Sequence, residues 1–207
     1  MIKHRKKRFG LISAAMLTLS LAVPTAAHAE SAGPATVTTT TDTPEISSNV
    51  MNDPDARYVS FAEATEQFGY DPNEDTGSPE PVVSPYSSWW GCDYEGRADY
   101  PHVTNNQASV HGYWVKTGGE CPSTATVTVD LQALLCSSFG CTWGTQATDS
   151  GTFKPGSGTG KWATPHKNCA NSNLVGWRGQ IDVNLTDFAD PPGKHHGTAK
   201  DLNCSPA

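Results

Sequence analysis

Residues 173–185 have the sequence Asn173-Leu-Val-Gly-Trp-Arg-Gly-Gln-Ile-Asp-Val-Asn-Leu185, and this stretch decides the class of fold. Apolar side chains occupy every second position of its latter half, and polar side chains fill the positions between them. Such alternation is typical of a strand with one buried face and one solvated face. We therefore predict a β-strand whose inward residues are Val175, Trp177, Ile181, Val183 and Leu185.

Similar short stretches precede this strand and are separated from one another by glycine-rich turns. The further predicted strands are 109–115, 124–131, 141–147 and 161–166. Pro165 has no backbone N–H, so the last of these is confined to a sheet edge. Short strands with such turns indicate an all-β domain, over residues 86–207, that forms a single small antiparallel β-sandwich or barrel.

All the cysteines of the chain lie inside this domain. They are Cys92, Cys121, Cys136, Cys141, Cys169 and Cys204. An even number of cysteines in an exported domain indicates disulfides, and the lack of a C-x-x-C pair argues against a zinc site. The closest pair, Cys136–Cys141, is expected to form a small loop. Shortest closure then predicts Cys92–Cys121 and Cys169–Cys204.

Four stretches carry a resemblance that covers the domain. They are Cys121-Pro-Ser-Thr-Ala-Thr-Val-Thr-Val-Asp-Leu131, Phe153-Lys-Pro-Gly-Ser-Gly-Thr-Gly160, Gly176-Trp-Arg-Gly179 and Asp201-Leu-Asn-Cys204. In these stretches the chain resembles the small exported, disulfide-bonded β proteins of high-GC Gram-positive bacteria. The resemblance implies export and a β fold. It implies no activity, and no functional residue is carried over from it.

The amino end has the pattern of a cleavable signal peptide. Five basic residues stand within positions 3–8, an apolar run follows over 11–23, and Ala27-His28-Ala29 fits the small-x-small cleavage rule. The apolar run is short for a membrane span, which needs about 20 residues. We therefore expect residues 1–29 to be removed and the protein to be secreted into the extracellular space, with no membrane association afterwards.

Residues 30–85 form a polar, acidic segment between the signal and the domain. It has eleven acidic residues against one base, Arg57, and it is rich in Thr, Ser and Pro. Such a composition predicts a disordered arm or a prosegment. One island differs, because Ser60 and Glu63 match a capping box and Gly69 suits a helix end. We predict a short helix near 61–68, which must dock on its own domain or on a partner.

Charge and motif content limit the functions that the chain can have. The strongly acidic mature chain would repel phosphate backbones, so a nucleic-acid partner is not expected. There is no G-x-S-x-G elbow and no H-E-x-x-H motif. We expect no catalytic residue, no cofactor and no metal site. Adjacent His195 and His196 would face opposite ways, and a dispersed Ser-His-Asp triad stays open because geometry defines it.

The tryptophans supply the candidate binding residues. Trp114, Trp143 and Trp177 occupy inward positions of predicted strands, so we interpret them as core. Trp89, Trp90 and Trp162 stand near turns or edges, where flat rings can stack on a sugar or anchor a protein. These three are the predicted ligand-binding residues.

The favoured hypothesis is a secreted, non-catalytic binding or interaction module with an extracellular glycan or protein as its ligand. One alternative is a latent secreted toxin, effector or hydrolase that residues 30–85 hold inactive as a prosegment. Another is a protease inhibitor that presents the Cys136–Cys141 loop. The oligomeric state is left open.

Overall fold

A computed structural model describes residues 44–72, 91–188 and 194–206, all of which belong to one compact unit, Thr40–Ala207. The expected signal peptide over 1–29 lies outside the described residues. So do the two adjacent candidate binding residues, Trp89 and Trp90.

The described chain is mostly β, with two short helices and three disulfides. The helices are α1 Pro44–Asn52 and α2 Phe61–Phe68. The strands are β1 Arg57–Tyr58, β2 Cys92–Ala98, β3 His102–Thr104, β4 Gln107–Ser109, β5 Gly112–Gly119, β6 Ala125–Ser137, β7 Gly140–Phe153, β8 His166–Asn168, β9 Asn171–Leu185, β10 His195–His196 and β11 Lys200–Ser205.

The largest sheet is built on the three longest strands, in the order β7, β6 and β9, all antiparallel. We call it the main sheet, and β1, β10 and β11 add to it. The predicted strand over 173–185 is confirmed as β9, and its five predicted inward side chains are all buried. The stretches 124–131 and 141–147 are also strands, but each extends further because β6 and β7 pair as one long hairpin.

A ribbon of β2 and β5 packs against the main sheet. Side chains of β6 and β9 fill the space directly in front of Gly96 and Gly112, and a Cβ at either glycine would collide with them. The Trp114 ring is fully buried beside the Tyr94 ring, with 6.5 Å between the ring centroids, and its indole N–H donates to the Phe153 carbonyl at 2.9 Å. The contact surface between ribbon and sheet is therefore the main core.

A small third sheet consists of β3, β4 and β8. The predicted strand over 109–115 is wrong in its continuity. Ser109 ends β4 in this sheet, buried Val110 turns the chain inward, and β5 begins at Gly112 in the ribbon. The predicted strand over 161–166 is wrong in its bounds, because only Ala163 forms an isolated bridge, to Gly112. The strand itself begins after Pro165, which has no N–H to give to a ladder.

The three disulfides join the pairs that shortest closure predicts: Cys92–Cys121, Cys136–Cys141 and Cys169–Cys204. Cys136 and Cys141 face each other across the β6–β7 hairpin. Only Ser138 and Phe139 form the turn of that hairpin, since Ser137 and Gly140 are already paired.

The structure differs from the expected disordered arm within residues 44–72, where it has both helices and β1. The helix predicted near 61–68 is present as α2. The Ser60 hydroxyl accepts the Glu63 N–H at 3.2 Å, and Gly69 is left-handed with φ 67°. The physical reason for order is burial: Val50, Val59 and Ala64 are completely enclosed, so this island docks on its own domain.

Candidate functional site

The tryptophans divide as the sequence predicts among the described residues. Trp114, Trp143 and Trp177 are buried, which confirms their interpretation as core residues. Trp162 is only partly buried, in the loop that leads to β8. It is the one candidate binding residue of the sequence that falls in the part of the chain described by the structure.

Trp162 is one end of a run of three aromatic rings in contact, each tilted against the next. Its ring centroid lies 4.5 Å from that of His111, with an angle of 32° between the planes. The His111 centroid lies 5.0 Å from that of His102, at 36°. All three side chains are partly exposed, so the run reaches the surface.

The third sheet sets the place of these rings. His102 on β3 is directly opposite Ser109 on β4, and Ser109 is directly opposite His166 on β8. Directly opposed residues project to one face of a sheet, so His102 and His166 flank Ser109 on the same face. We call the surface made by His102, His111, Trp162 and His166 the histidine face.

Hydrogen-bonding groups extend the histidine face along the strands. In the next row Thr104, Gln107 and Asn168 are directly opposed, and the Gln107 side-chain amide donates to the Asn168 side-chain oxygen at 2.8 Å. This row projects to the same side as the histidine row, because the side-chain period of a strand is two residues. Tyr100, immediately before β3, is 63% exposed. The surface thus combines flat rings with amide and hydroxyl groups.

Two local features hold the third sheet rigid. Asn105 and Asn106 form the β3–β4 turn with φ of 51° and 60°, the left-handed conformation that a two-residue type I′ hairpin requires. The Asn106 carbonyl accepts the Cys169 N–H at 2.9 Å, and its side chain donates to the Cys169 carbonyl at 3.2 Å. Since Cys169 is bridged to Cys204, the turn is tied to the disulfide framework.

The electrostatics of the site favour uncharged imidazole at His111. Burial lowers the pKa of His111, and the neighbouring His102 and His166 lower it further. The carboxylate of Asp99, 3.7 Å from Nδ1 of His111, raises that pKa but only partly offsets the other effects. His111 is therefore neutral at pH 7, when each ring nitrogen can serve a neutral ligand as donor or acceptor.

The histidine face is not arranged as a metal centre. In residues 44–72, 91–188 and 194–206, no three His, Cys, Asp or Glu side chains are placed so that they could hold a metal ion.

One pair within the site has the form of a nucleophile and its base. The Ser109 hydroxyl lies 3.1 Å from Nε2 of His102, and Nδ1 of His102 lies 3.4 Å from the Tyr100 carbonyl. Ser109, however, is only 2% exposed, so a substrate carbonyl has no approach to its hydroxyl in this conformation. The geometry serves to orient His102.

The other polar candidates of the sequence do not join this site. His195 and His196 pair with Ile181 and Gln180 of β9, and as neighbours on a strand they project to opposite faces. The convergence of His102, His111 and His166 was missed because each looks isolated in the sequence. The only sequence signal for it is the closeness of Trp162 to His166.

Among the described residues no helix is both long enough and apolar enough to cross a membrane. Comparison with family models, with curated proteins and with solved structures finds no match to this chain. The geometry of the histidine face is thus the basis on which its function is inferred.

Proposed function

We propose that this is an exported, non-catalytic binding protein that holds an extracellular glycan on the histidine face. The observation that supports the proposal is the run of contacting rings from Trp162 through His111 to His102, partly exposed at the surface. Sugar rings present flat C–H faces that stack on aromatic rings, and their hydroxyl groups bind amides and imidazoles. Trp162 supplies the stacking surface, and Gln107 and Asn168 supply the polar partners.

Rigidity favours such binding. A side chain that is already fixed in place loses little conformational entropy when a ligand arrives. His111 is held between two other rings, and the third sheet is tied to the Cys169–Cys204 disulfide. A protein ligand is the alternative occupant, because Tyr100 and Trp162 are also residues that anchor protein interfaces.

The test is a pull-down of the full secreted chain on insoluble cell-wall and extracellular polysaccharides, with glycan-free protein beads beside them. Trp162→Ala should reduce retention on glycan at least tenfold, the size expected when an aromatic anchor is lost. Phe139→Ala is the control, because Phe139 is an exposed aromatic residue on the β6–β7 hairpin turn, outside the histidine face. Retention that is equal for wild type and Trp162→Ala would remove the site, and retention on protein alone would favour the protein ligand.

Export and architecture belong to the same proposal. Three disulfides fit an oxidising extracellular location. Intact mass from the culture medium should begin at Glu30 and rise by six hydrogens on reduction. A mass that begins near Tyr86 would instead favour a discarded prosegment.

We also propose that the main sheet and the β2–β5 ribbon are the two layers of an antiparallel sandwich, because side chains of β6 and β9 pack directly against the ribbon backbone at Gly96 and Gly112.

A second candidate function, protease inhibition, is favoured by Phe139. This side chain is 59% exposed at the turn closed by Cys136–Cys141. A protease that cleaves after large apolar residues would be the target, and Phe139→Ala should then abolish inhibition. The two-residue turn weighs against this function, because proteases bind extended segments. Absence of inhibition by the wild-type chain would remove it.

A further inference from the structure

The strand β1 pairs with β6 at the end of the main sheet, and the next residue, Val59, bonds to both β6 and β9. β6 and β9 pair directly from Ala125–Leu185 to Ala133–Trp177 and then separate. Beyond that point Arg57 and Tyr58 pair with Cys136 and Leu135 of β6. The Val59 N–H donates to the Leu134 carbonyl at 3.2 Å, and the Val59 carbonyl accepts the Gly176 N–H at 2.9 Å. The arm therefore fills a cleft in the sheet and is bonded to both walls.

Side chains of the arm complete a second small core within this cleft. Val59 is fully buried with Leu134 and Cys136. The Phe61 ring lies 5.9 Å from the Trp143 ring and directly over Gly176, where a Cβ would stand 3.2 Å from it. The Phe61 N–H donates to the Asp201 carboxylate at 3.0 Å. We call the space bounded by Leu134, Trp143, Gly176 and Asp201 the arm cleft.

An empty arm cleft would be a site for strand addition. The Leu134 carbonyl and the Gly176 N–H would lose their partners, and the apolar wall at Trp143 would meet water. Unpaired strand edges next to an apolar wall bind extended peptides through main-chain hydrogen bonds and alternate side-chain pockets. Val59, fully buried, and Phe61, against the Trp143 ring, supply the apolar contacts by which the cleft selects its peptide.

The number of residues between the arm and the domain is large enough for the arm to reach a second copy. Eighteen residues, 73–90, join the described arm to the start of β2. A chain of that length spans at most about 60 Å, more than the diameter of a small domain. Every contact that Val59 and Phe61 make in their own cleft is available in the cleft of a second copy.

We propose that the arm cleft is a strand-exchange site whose partner is residues 57–61 of a second copy of this chain. Two copies that exchange arms form a symmetric dimer in which each cleft is filled by the other copy's Val59 and Phe61. In dilute protein the arm returns to its own cleft, because the effective concentration of a short tethered segment is on the order of mM. Exchange prevails where the protein is crowded. The inference is independent of the histidine face.

The test uses two full-length variants that complement each other. The donor, Gly176→Leu, keeps its arm but fills its own cleft, because the new side chain meets Phe61 and Leu134. The recipient, Val59→Pro with Phe61→Ala, keeps an open cleft but has an arm that cannot dock. Native mass spectrometry should show each variant as a monomer and their mixture as a one-to-one heterodimer. Gly158→Leu is the control donor, because a Cβ at that loop glycine meets only the end of Lys161.

The wild-type chain provides a second measurement that needs no variant. Isotope-labelled and unlabelled chains, incubated together and cross-linked at about 1 mM, should yield light, mixed and heavy dimers near 1:2:1. Three intact disulfides by mass establish that each variant has folded. Monomers alone in the wild-type mixture, with no heterodimer from the folded variants, would overturn the proposal. Where a variant does not fold, the wild-type mixture decides.

Discussion

Single residues decide what the surface and the arm can do. Gly176 leaves room for the Phe61 ring, and a Cβ there would be in tight contact with that ring, 3.2 Å away. His111 lies between the rings of Trp162 and His102 and so joins a tryptophan from one loop to a histidine from another strand. Neither role depends on reactivity. Each residue acts through the size and packing of its side chain, which a substitution can test directly.

The pH dependence of the free energy of unfolding should reflect the protonation of His111. Its pKa in the folded protein is lowered by burial, by His102 and by His166, against the opposing effect of Asp99. The unfolded chain therefore takes up the proton first, near pH 6.5, and stability falls as pH drops from there through the lower folded pKa. Above pH 6.5 both states are neutral and the effect vanishes.

His111→Phe keeps a stacking ring and removes this titration. We expect the free energy of unfolding in urea to decline less for His111→Phe than for wild type between pH 7 and pH 5. Phe139→Ala, which removes no titrating group and lies outside the histidine face, serves as the control and should keep the wild-type slope. Equal slopes for wild type and His111→Phe would contradict the assignment.

Burial was predictable for residues in a strand with regular polar–apolar alternation. It was not predictable where distant segments of the chain pack against each other. The inward set of β9 follows from period two alone, as does the core position of Trp177. The histidine face did not follow, because His102, His111 and Trp162 stand on three segments whose approach depends on sheet pairing. No local rule relates residues 51 to 60 positions apart.

At the scale of elements, the arm is part of the fold and not an appendage. β1 pairs with β6, Val59 bonds to both β6 and β9, and α2 places Phe61 against Trp143. The caps of α2 were predictable, because Ser60 and Gly69 act on their own neighbours along the chain. The surface on which it docks was not predictable, because that depends on the apolar residues of β6 and β7 that the fold brings to it.

Phe61→Ala should destabilise the protein by about 2 kcal/mol. Large buried aromatic truncations cost about 3–5 kcal/mol, and Phe61 is only partly buried. Phe139→Ala, the exposed counterpart, should change stability by less than about 0.5 kcal/mol. Urea unfolding followed by circular dichroism measures both.

The prosegment hypothesis predicts instead that loosening the arm unmasks hydrolysis or toxicity, which activity assays on Phe61→Ala will show.

At the scale of the whole molecule, three small sheets are held by a framework of three disulfides. The mostly β class was predictable from alternation and turn composition, and the disulfide pairs were predictable because short loops close at the lowest entropic cost. The break between β4 and β5 was not predictable. It depends on the burial of Val110, which only the assembled core provides.

The disulfides should differ in their contribution to stability according to the loops they close. Cys169–Cys204 has a sequence separation of 35 and Cys136–Cys141 one of 5. Chain entropy gives about 4 kcal/mol for the longer loop and about 2 kcal/mol for the shorter one. Paired Cys→Ser variants, compared by urea unfolding, should show this order. A larger loss for the hairpin pair would indicate that its main role is in the native state.

The docking of the arm onto strands that come later in the sequence has a consequence for the order in which the chain folds. The chain is synthesised from its amino end, so Val59 and Phe61 emerge early, whereas Leu134, Gly176 and Asp201 follow much later. The Phe61 N–H donates to the carboxylate of Asp201, which is synthesised 140 residues later. The earliest described segment is therefore among the last to be secured. During that interval a nascent chain has an undocked arm and, later, an empty arm cleft. A second nascent chain can supply the matching cleft or the matching arm.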